Sequence, residues 1–477
     1  MAVTLDAVIV GSGPNGLAAA VELARNGASV VVLEAAPTIG GGTRTAELTL
    51  PGFRHDVCSA AHPLGILSPY LSTLPLADHG LTWIQGSVSV AHPLDDQPAV
   101  ILGPSLDTTA DGLGRDAGSY RQLVGPLLRQ PHALLAEILG PAHLPAHPIL
   151  LSRFGAQALL PATVLGRMRF RGQRARALLA GCAAHSILPL TRPVSAAVGM
   201  VFFVCAHLET WPVAAGGSAA ITTALAAYLA SLGGSVETTH PVRSLADIPP
   251  ARVTLFDTSP KQVADIAGSR LPGGYVRRLR RYRYGPGVFK IDWALDGPIP
   301  WRDPASLGAS TVHVGGTLDE IAAAEAAVWR GEHPDAPFVI VVQPSLFDST
   351  RAPEGKHTAW AYCHVPSGST VDRTDAIERQ MERYAPGFRD LVLARHVMNT
   401  ADLEQYNANN TGGAITGGVN DLGQLFTRPV IRANPYSTPN PHYYICSAST
   451  PPGGGVHGMC GYHAARTALR RLPGIAV

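Results

Sequence analysis

The chain has 477 residues, too many for one ordinary core, and this length predicts about two to three domains. Hydrophobic residues make up 46% of the sequence and charged residues 15%, which excludes a disordered or fibrous protein and suits a loop-rich α/β enzyme. The formal net charge of +2 gives no reason to expect a nucleic acid partner.

The N-terminal region follows the order strand, turn, helix, strand. Residues 6–10 are apolar and β-branched, as in a buried strand, and residues 17–25 form an alanine-rich helical segment that ends at Asn26-Gly27. Residues 29–33 form a second buried strand, which ends at Glu34. This order predicts a βαβ unit of about 30 residues.

The turn between the first strand and the helix matches the pattern GxGxxG. It consists of Gly11, Ser12, Gly13, Pro14, Asn15 and Gly16. In such a loop the first glycine makes the tight turn, the second lets the backbone approach a pyrophosphate, and the third lets helix and strand pack closely. Glu34 follows Gly16 by 18 residues, at the distance of a carboxylate that binds a ribose diol and repels the 2′-phosphate of NADP. The segment therefore predicts a dinucleotide site.

A second glycine turn follows directly after Glu34. It includes Gly40 and the segment Gly41, Gly42, Thr43 and Arg44, and we expect it to lie close to the same phosphates. At the other end of the chain, Gly453-Gly454-Gly455 is predicted to open a helix whose free N–H groups face the pyrimidine edge of an isoalloxazine. Together with the first loop, these two clusters favour FAD over NAD.

Residues 76–210 consist of helical stretches separated by prolines. Within them, the most apolar run, residues 194–206, is shorter than the ~20 residues that span a bilayer, so we predict a core helix. A lid that dips into lipid is the alternative. Two arginine runs, at 167–176 and 277–283, are expected to be solvated faces, or alternatively a basic rim on anionic lipid.

Two further features concern the compartment. The N-terminus lacks the basic segment of a signal peptide, and the six cysteines contain no CxxC pair. We therefore expect reduced thiols in a cytoplasmic protein, with peripheral membrane contact as an option.

The remaining elements predict interleaved domains. A helix at 218–232 and strands at 235–239 and 252–257 return to the first domain, and the C-terminal strand at 443–446 joins them. Extended segments at 287–295, 337–343 and 357–365, with a helix near 376–384, indicate a second, mainly antiparallel sheet.

The predicted fold class is α/β, with a Rossmann-type (GR2-like) FAD-binding domain interleaved with a substrate domain of mixed or antiparallel sheet plus helices. The FAD-binding domain is expected to comprise residues 1–75, 211–285 and 428–477. The substrate-binding domain is expected to comprise residues 76–210 and 286–427.

Over essentially its whole length, the sequence resembles the phytoene desaturase-like, carotenoid dehydrogenase-related branch of the flavin amine oxidase superfamily. The matching segments are residues 6–17, 32–34 with Gly40 and Gly41, 51–56, Gly216-Gly217, and 452–458. The resemblance implies that Glu34 binds the adenosine ribose and that the Val242 backbone contacts adenine. It also implies that Ser447, Gly455, Val456, His457 and Gly458 contact the pyrophosphate and flavin.

Two positions separate the branches of this superfamily. Amine oxidases carry arginine directly after the paired glycines, but this chain has Gly42 there and its nearest arginine is Arg44, which favours the carotenoid desaturase side. In contrast, residues 285–294 resemble the amine oxidase strand whose lysine reaches flavin N5 through a water. We therefore predict that Lys290 touches the reacting edge, or else extends to the surface.

Few other side chains are candidates for chemistry. His457 either faces the flavin or is a packed, hydrogen-bonded histidine, while His463 is expected to be structural. Tyr406 and residues 407–411 are predicted to line the substrate cavity.

These features predict an FAD-dependent dehydrogenase or desaturase that moves hydride from a C–H bond of a lipophilic, isoprenoid or polyene substrate to flavin N5. The electron acceptor is open between oxygen and a quinone, and the oligomeric state is open too. Alternatives are an amine oxidase, a non-catalytic prenyl-lipid carrier of the same fold, and a redox-neutral flavin isomerase.

Overall fold

The structure is a computed structural model that describes residues 5–472. Sixteen strands are formed within these residues: β1 Leu5–Val10, β2 Val30–Leu33, β3 Thr45–Glu47, β4 Arg54–Asp56, β5 Trp83–Ile84, β6 Val88–Leu94, β7 Gln97–Leu102, β8 Val213–Ala214, β9 Ser235–Glu237, β10 Ala251–Phe256, β11 Gly287–Leu295, β12 Ala309–Val314, β13 Val339–Val342, β14 His357–Val365, β15 Val392–Met398 and β16 Tyr443–Ile445.

Seventeen α-helices accompany them in the same residues: α1 Pro14–Arg25, α2 Pro63–Ile66, α3 Leu106–Gly112, α4 Ala117–Val124, α5 Pro131–Ile138, α6 Pro148–Ala158, α7 Ala162–Arg169, α8 Gln173–Ala184, α9 Ser195–Leu208, α10 Ala219–Ser231, α11 Pro260–Ala267, α12 Gly273–Arg280, α13 Leu318–Trp329, α14 Thr374–Tyr384, α15 Thr400–Tyr406, α16 Leu422–Leu425 and α17 Met459–Leu469.

The first of two large sheets is a five-stranded parallel sheet. Its strand order is β16-β10-β1-β2-β9, and the central strand β1 pairs with β2 and β10. Helices α1, α10 and α17 pack together beside this sheet, which explains why β2 and the buried residues 7–10 of β1 are apolar. The βαβ unit predicted at the N-terminus is confirmed as β1, α1 and β2.

The second large sheet is a seven-stranded mixed sheet. Its order is β15-β11-β14-β13-β12-β6-β7, in which β6 and β12 run parallel and the other neighbours antiparallel. One face packs with α8 and α9, and the other with α14. The strands of the two sheets alternate along the chain, so the predicted fold class is confirmed: a Rossmann-like FAD-binding fold with a mixed sheet and helices.

The prediction of helical stretches alone at 76–210 was wrong, because this segment also forms β5, β6 and β7. The hairpin β6–β7 turns at Asp95-Asp96, and Pro93 lies within β6 next to a register shift. A proline inside a strand marks an irregular or edge position, and the sequence pattern was interpreted as a helix break instead. Strands β12 and β15 were also missed.

The C-terminal glycines do not open a helix, contrary to the prediction. Helix α17 begins at Met459, after the loop that contains Gly453 and Gly455. These two glycines have φ values of +115° and +134°, which no residue of a right-handed helix adopts. Gly458, with φ +67°, is the residue that precedes the helix.

The apolar run predicted as a core helix is α9, most of which is buried. Among residues 5–472, no single helix has the length and apolar composition to cross a membrane, although the bent pair α6 and α7, at 99°, passes on those two criteria together. In the first arginine run, Arg174 donates to the backbone oxygens of Pro98, Ala99 and Gly112.

Candidate dinucleotide and substrate site

A single large cavity extends from the parallel sheet to the mixed sheet. Its volume is about 1160 Å³, above the range of about 300–1,000 Å³ typical of a site for one small molecule. One end is lined by the carboxyl ends of β1 and β2 and by the glycine loop. The other end is lined by α6, α9 and the mixed sheet. The cavity therefore has room for a dinucleotide and a second molecule.

The glycine loop lies at the carboxyl end of β1, where residues 11–15 line the cavity. Gly11 has φ +105°. A Cβ on Gly13 would lie 2.7 Å from Asp257 Oδ2, and a Cβ on Gly16 only 2.1 Å from the Gly11 backbone oxygen. Each position thus requires glycine, and the N-terminus of α1 is left open to an anion.

Glu34 is held in place by groups on both sides. Its Oε2 accepts from Ser12 N at 3.0 Å and Ser12 Oγ at 2.6 Å. Its Oε1 accepts from Ala36 N at 2.9 Å and pairs with Arg44 Nη2 at 3.1 Å. Both Glu34 and Arg44 line the cavity, so the second glycine turn brings a positive charge to the predicted ribose position.

Asp257 is a site residue that the sequence analysis missed. It follows β10, and its Oδ2 accepts from Gly16 N at 2.9 Å. Burial raises the pKa of Asp257 well above its usual range, which the Gly16 N–H partly opposes, and nearby Glu34 raises it further. Because the raised pKa disfavours the ionised form, this carboxyl repels a phosphate beside the glycine loop less than an ordinary aspartate would. An acidic residue directly after a strand of the parallel sheet was the available signal.

The second glycine turn packs onto the first. Gly40 and Gly41 have φ values of +119° and +53°, and a Cβ on Gly41 would lie 3.1 Å from Gly13 Cα. The Gly41 carbonyl accepts from the Tyr406 hydroxyl at 2.8 Å, and the Arg44 guanidinium lies 5.3 Å from the centre of the Tyr406 ring. Tyr406 and residues 407–410 line the cavity.

Most of the residues predicted to bind the cofactor meet at this cavity. Those that line it are Gly11, Ser12, Gly13, Pro14, Asn15, Glu34, Gly41, Gly42, Thr43, Arg44, Val242, Ser447, Gly455 and Val456. Gly16, His457 and Gly458 are not part of the lining. Gly16 faces Gly11 and Asp257 instead, and a Cβ on Gly458 would contact Ala18 and Leu71.

His457 is a packed histidine in this structure. Its Nδ1 accepts from Met459 N at 3.1 Å, at the start of α17, and its carbonyl accepts from Ser68 Oγ at 2.6 Å. Burial lowers the pKa of His457 to about 4, so the ring is neutral at physiological pH. Of the two interpretations of His457, the geometry matches the packed one.

Lys290 is buried behind the cavity wall, so the geometry matches neither a contact with the reacting edge nor a surface lysine. Its side chain is 2% exposed, its ammonium pairs with Asp292, and it lies 5.7 Å from the centre of the Trp360 ring. Residues two apart on a strand share a face, which gives this lysine a partner two positions away on β11. Its neighbours Trp360 and Cys58 line the cavity, whereas Lys290 itself does not.

The inner end of the cavity is a mostly apolar chamber. Helix α9 contributes Ala197, Val198, Val201 and Phe202, and the mixed sheet contributes Ile340 and Val342. Leu151 and Phe154 of α6 close another side. Among residues 5–472, no group of three or more histidine, cysteine or acidic side chains is arranged to hold a metal ion.

The close-packed glycines, the open helix start and the acid after β2 fit a dinucleotide, and with the two interleaved sheets they define a Rossmann-like FAD-binding fold. In agreement, residues 9–71 match a family model described as an NAD(P)-binding Rossmann-like domain.

Curated relatives are similar either over nearly the whole chain or over about a quarter of it. Pyridine nucleotide-disulfide oxidoreductase domain-containing protein 2 of Mus musculus is 28% identical, covering 98% of this chain and 94% of its own length. One of the limonene dehydrogenase subunits of Castellaniella defragrans is 30% identical over 25% of this chain and 22% of its own. The 4,4'-diapolycopen-4-al dehydrogenase of Metabacillus indicus is 30% identical over 26% of each chain.

Solved structures share the fold across the whole molecule. An oxidoreductase from Methanosarcina mazei superposes with a TM-score of 0.66 at 15% identity, covering 98% of this chain and 100% of that one. Putrescine oxidase bound to putrescine superposes with a TM-score of 0.62 at 18% identity, covering 98% of both chains.

Proposed function

We propose that this protein is an FAD-dependent oxidoreductase that acts on a lipophilic substrate. The observation that carries the proposal is the continuity of one cavity from the glycine loop to the apolar chamber. A dinucleotide anchored at one end would extend toward a second molecule at the other. FAD, when bound, supplies hydride acceptance from a substrate C–H bond.

The chain's own residues would hold the cofactor by three kinds of contact. The start of α1 offers N–H groups and its dipole to the pyrophosphate, while the raised pKa of Asp257 reduces the opposing charge next to it. Glu34 offers carboxylate oxygens to the ribose, and the Val242 backbone borders the adenine end. Gly455 and Val456 border the opposite end.

A lipophilic substrate is supported by the walls of the chamber. Aliphatic and aromatic side chains of α6, α9 and the mixed sheet surround it, and such walls exclude water from the reacting C–H bond. The names of the two partial relatives, a limonene dehydrogenase and a 4,4'-diapolycopen-4-al dehydrogenase, agree with an isoprenoid or polyene substrate.

An amine oxidase is the second candidate, since putrescine oxidase has the same fold. The position of Lys290 opposes an amine oxidase, because its ammonium is bound by Asp292 and its side chain does not line the cavity. The neighbouring Trp360 and Cys58 line the cavity instead. Hydrogen peroxide release with primary, secondary and polyamine substrates would establish the amine oxidase. Product analysis without net redox change would indicate a flavin isomerase.

The proposed function is tested by the flavin content of the purified protein. The expected result is a yellow protein that releases close to one FAD per chain on heating, identified by mass. A colourless protein without flavin would contradict it and support a non-catalytic lipid carrier. A matched variant, Glu34→Gln, keeps the size of the side chain but removes the charge that pairs with Arg44 and replaces one acceptor oxygen with a donor, so it should retain less FAD.

We also propose that the outer surface formed by α6, α7 and the segment before α6 rests on a lipid surface, from which substrate enters. Leu144, Ile149 and Met168 are 94%, 71% and 69% exposed, and Arg153 lies beside Ile149. The inner face of α6 lines the cavity. Flotation with vesicles containing phosphatidylserine tests this: Ile149→Ser should reduce binding, whereas Val371→Ser, exposed elsewhere, should not. Wild-type protein that binds no vesicles would contradict the proposal.

A further inference from the structure

Three histidines stand in a row at the inner end of the cavity. His92 lies on β6, His313 on β12, and His185 directly follows α8. His185 Nε2 and His313 Nε2 are 2.8 Å apart, and the His92 and His313 ring centres are 6.2 Å apart. Within residues 5–472, none of the three hydrogen-bonds to an acidic side chain. The hydrogen bonds of the row are therefore made to a backbone carbonyl and between imidazoles.

All three rings are neutral at physiological pH. Burial lowers the pKa of His92 to about 4, that of His185 to about 3, and that of His313 well below its usual range. A neutral imidazole carries one proton, so one ring nitrogen donates and the other accepts. The Gly316 carbonyl accepts from His92 Nε2 at 2.6 Å, which fixes the His92 proton on Nε2 and leaves a lone pair on His92 Nδ1.

This lone pair sets the proton positions of the next ring. A Cβ on Gly181 would lie 2.6 Å from His313 Nδ1 and 2.8 Å from His92 Nδ1, so both nitrogens border the same small space at Gly181, where neither has a hydrogen-bond partner among the described residues. Two lone pairs facing each other in a buried gap repel, whereas an N–H facing a lone pair is attracted. The proton of His313 is therefore favoured on Nδ1, and His313 Nε2 accepts from His185 Nε2.

The proton position of His185 follows from those of the other two rings, and His185 is the ring of the three that lines the cavity. With its proton on Nε2, this residue carries a lone pair on Nδ1. His185 lines the cavity and is half-buried, and among the described residues its Nδ1 has no hydrogen-bond partner. The rings of Phe202 and Trp211 stand edge-on at 4.9 Å and 5.8 Å. The apolar wall thus presents one fixed hydrogen-bond acceptor.

We propose that His185 Nδ1 accepts a hydrogen bond from the hydroxyl group of a lipophilic alcohol bound in the chamber. A hydroxyl supplies the single donor that this acceptor requires, while its carbon chain occupies the surrounding apolar wall. An ammonium does not fit, because a neutral imidazole cannot offset the cost of burying a charge. The proposal rests on the chamber being the substrate site of the proposed oxidoreductase, whose substrate class it narrows.

The test measures binding of two isomers to the protein as purified. Calorimetric titration with n-octanol and with heptyl methyl ether compares a ligand that donates a hydrogen bond with one that only accepts. The expected result is a dissociation constant about tenfold lower for n-octanol, the size of one well-made hydrogen bond. In His185→Phe the two isomers should bind alike, while Phe202→Leu, which alters the apolar wall, should keep the preference.

A third ligand tests the proton positions and needs no variant. Methyl hexyl ketone only accepts hydrogen bonds, so wild-type protein should bind it no better than the ether. Equal binding of n-octanol and the ether by wild-type protein, an alcohol preference that survives in His185→Phe, or no binding of either isomer would overturn the proposal. Flavin content is measured separately, so a colourless protein that prefers the alcohol refutes the flavoenzyme and not the His185 assignment.

Discussion

Gly16 shows how strongly a single residue constrains the dinucleotide loop. A Cβ at this position would lie 2.1 Å from the backbone oxygen of Gly11. We expect Gly16→Ala to lose bound FAD and to unfold several degrees lower, since a backbone atom must move to admit the methyl group. Flavin absorbance and thermal unfolding measure both effects.

The matched control is Gly118→Ala on α4, where a Cβ would meet no atom within 4 Å. It should keep its flavin and be as stable as the wild type or slightly more, because alanine favours a helix over glycine. A Gly16→Ala protein with full flavin content would contradict the geometry of the loop.

Individual residues also show which parts of the site can be predicted from the sequence. The residues of the two glycine turns were predicted because a local pattern carries their role. Asp257 was not, since its contact with Gly16 joins residues 241 positions apart and depends on β10 lying beside β1. The Asp292 partner of Lys290 was predictable, because a spacing of two on a strand puts both residues on one face.

Buried Arg351 joins three elements of the fold. Its Nη2 binds Asp56 Oδ2 and its Nε binds Asp348 Oδ2, each at 2.9 Å. Asp56 in turn accepts from Ser218 N at 2.7 Å, before α10, and Asp348 accepts from Gly216 N at 2.8 Å. This network links the β3–β4 hairpin, the start of α10 and the segment before β14.

We expect Arg351→Leu to lower the free energy of unfolding by about 3–5 kcal/mol, because it leaves two buried carboxylates without their cation. The control is Arg330→Leu, which breaks the exposed pair with Glu332 and should cost about 0–1 kcal/mol. Urea unfolding of both variants measures the difference. Equal stability of the two would show that the buried network contributes no more than a surface pair.

Element boundaries were predictable where periodicity is strong, as in β11 and β14, whose bounds match the predicted 287–295 and 357–365. The start of α17 was not, because the positive φ values of Gly453 and Gly455 follow from contacts across the fold. A Cβ on Gly454 would lie 2.6 Å from the Thr416 backbone oxygen, a neighbour that no local pattern reveals.

Several histidines in different parts of the molecule are buried and neutral. Burial lowers the pKa of His55, His62, His92, His457 and His463 to about 4 each. In the unfolded chain these rings titrate near about 6.5. The stability that depends on their neutral form is therefore present above that pH and is lost as the pH falls through the window down to about 4.

We expect the urea midpoint to fall steeply from about pH 7 to about pH 5, because the unfolded chain binds more protons than the folded one in this range. His62→Gln should reduce the slope, whereas His132→Gln, at an exposed position, should not. A midpoint that stays constant across the range would contradict the burial of these rings.

For the whole molecule, two interleaved domains could be predicted from the sequence. Glycine turns and strands occur at both ends of the chain, and these strands belong to one sheet. The pairing of β6 with β12 was not predictable, since it joins segments more than 200 residues apart whose register depends on packing. The chamber could not be predicted from the sequence for the same reason, because α6, α9 and β14 meet only in the folded molecule.

The central claim is that one cavity holds FAD at its glycine-loop end and substrate at its apolar end. A crystal structure of the purified protein with its bound cofactor tests this most directly. We expect FAD with its adenosine beside Glu34 and Val242 and its ring system beside Gly455 and Val456, open to the chamber that His185 lines. A nicotinamide dinucleotide, an empty site, or a flavin ring that points away from this chamber would contradict it.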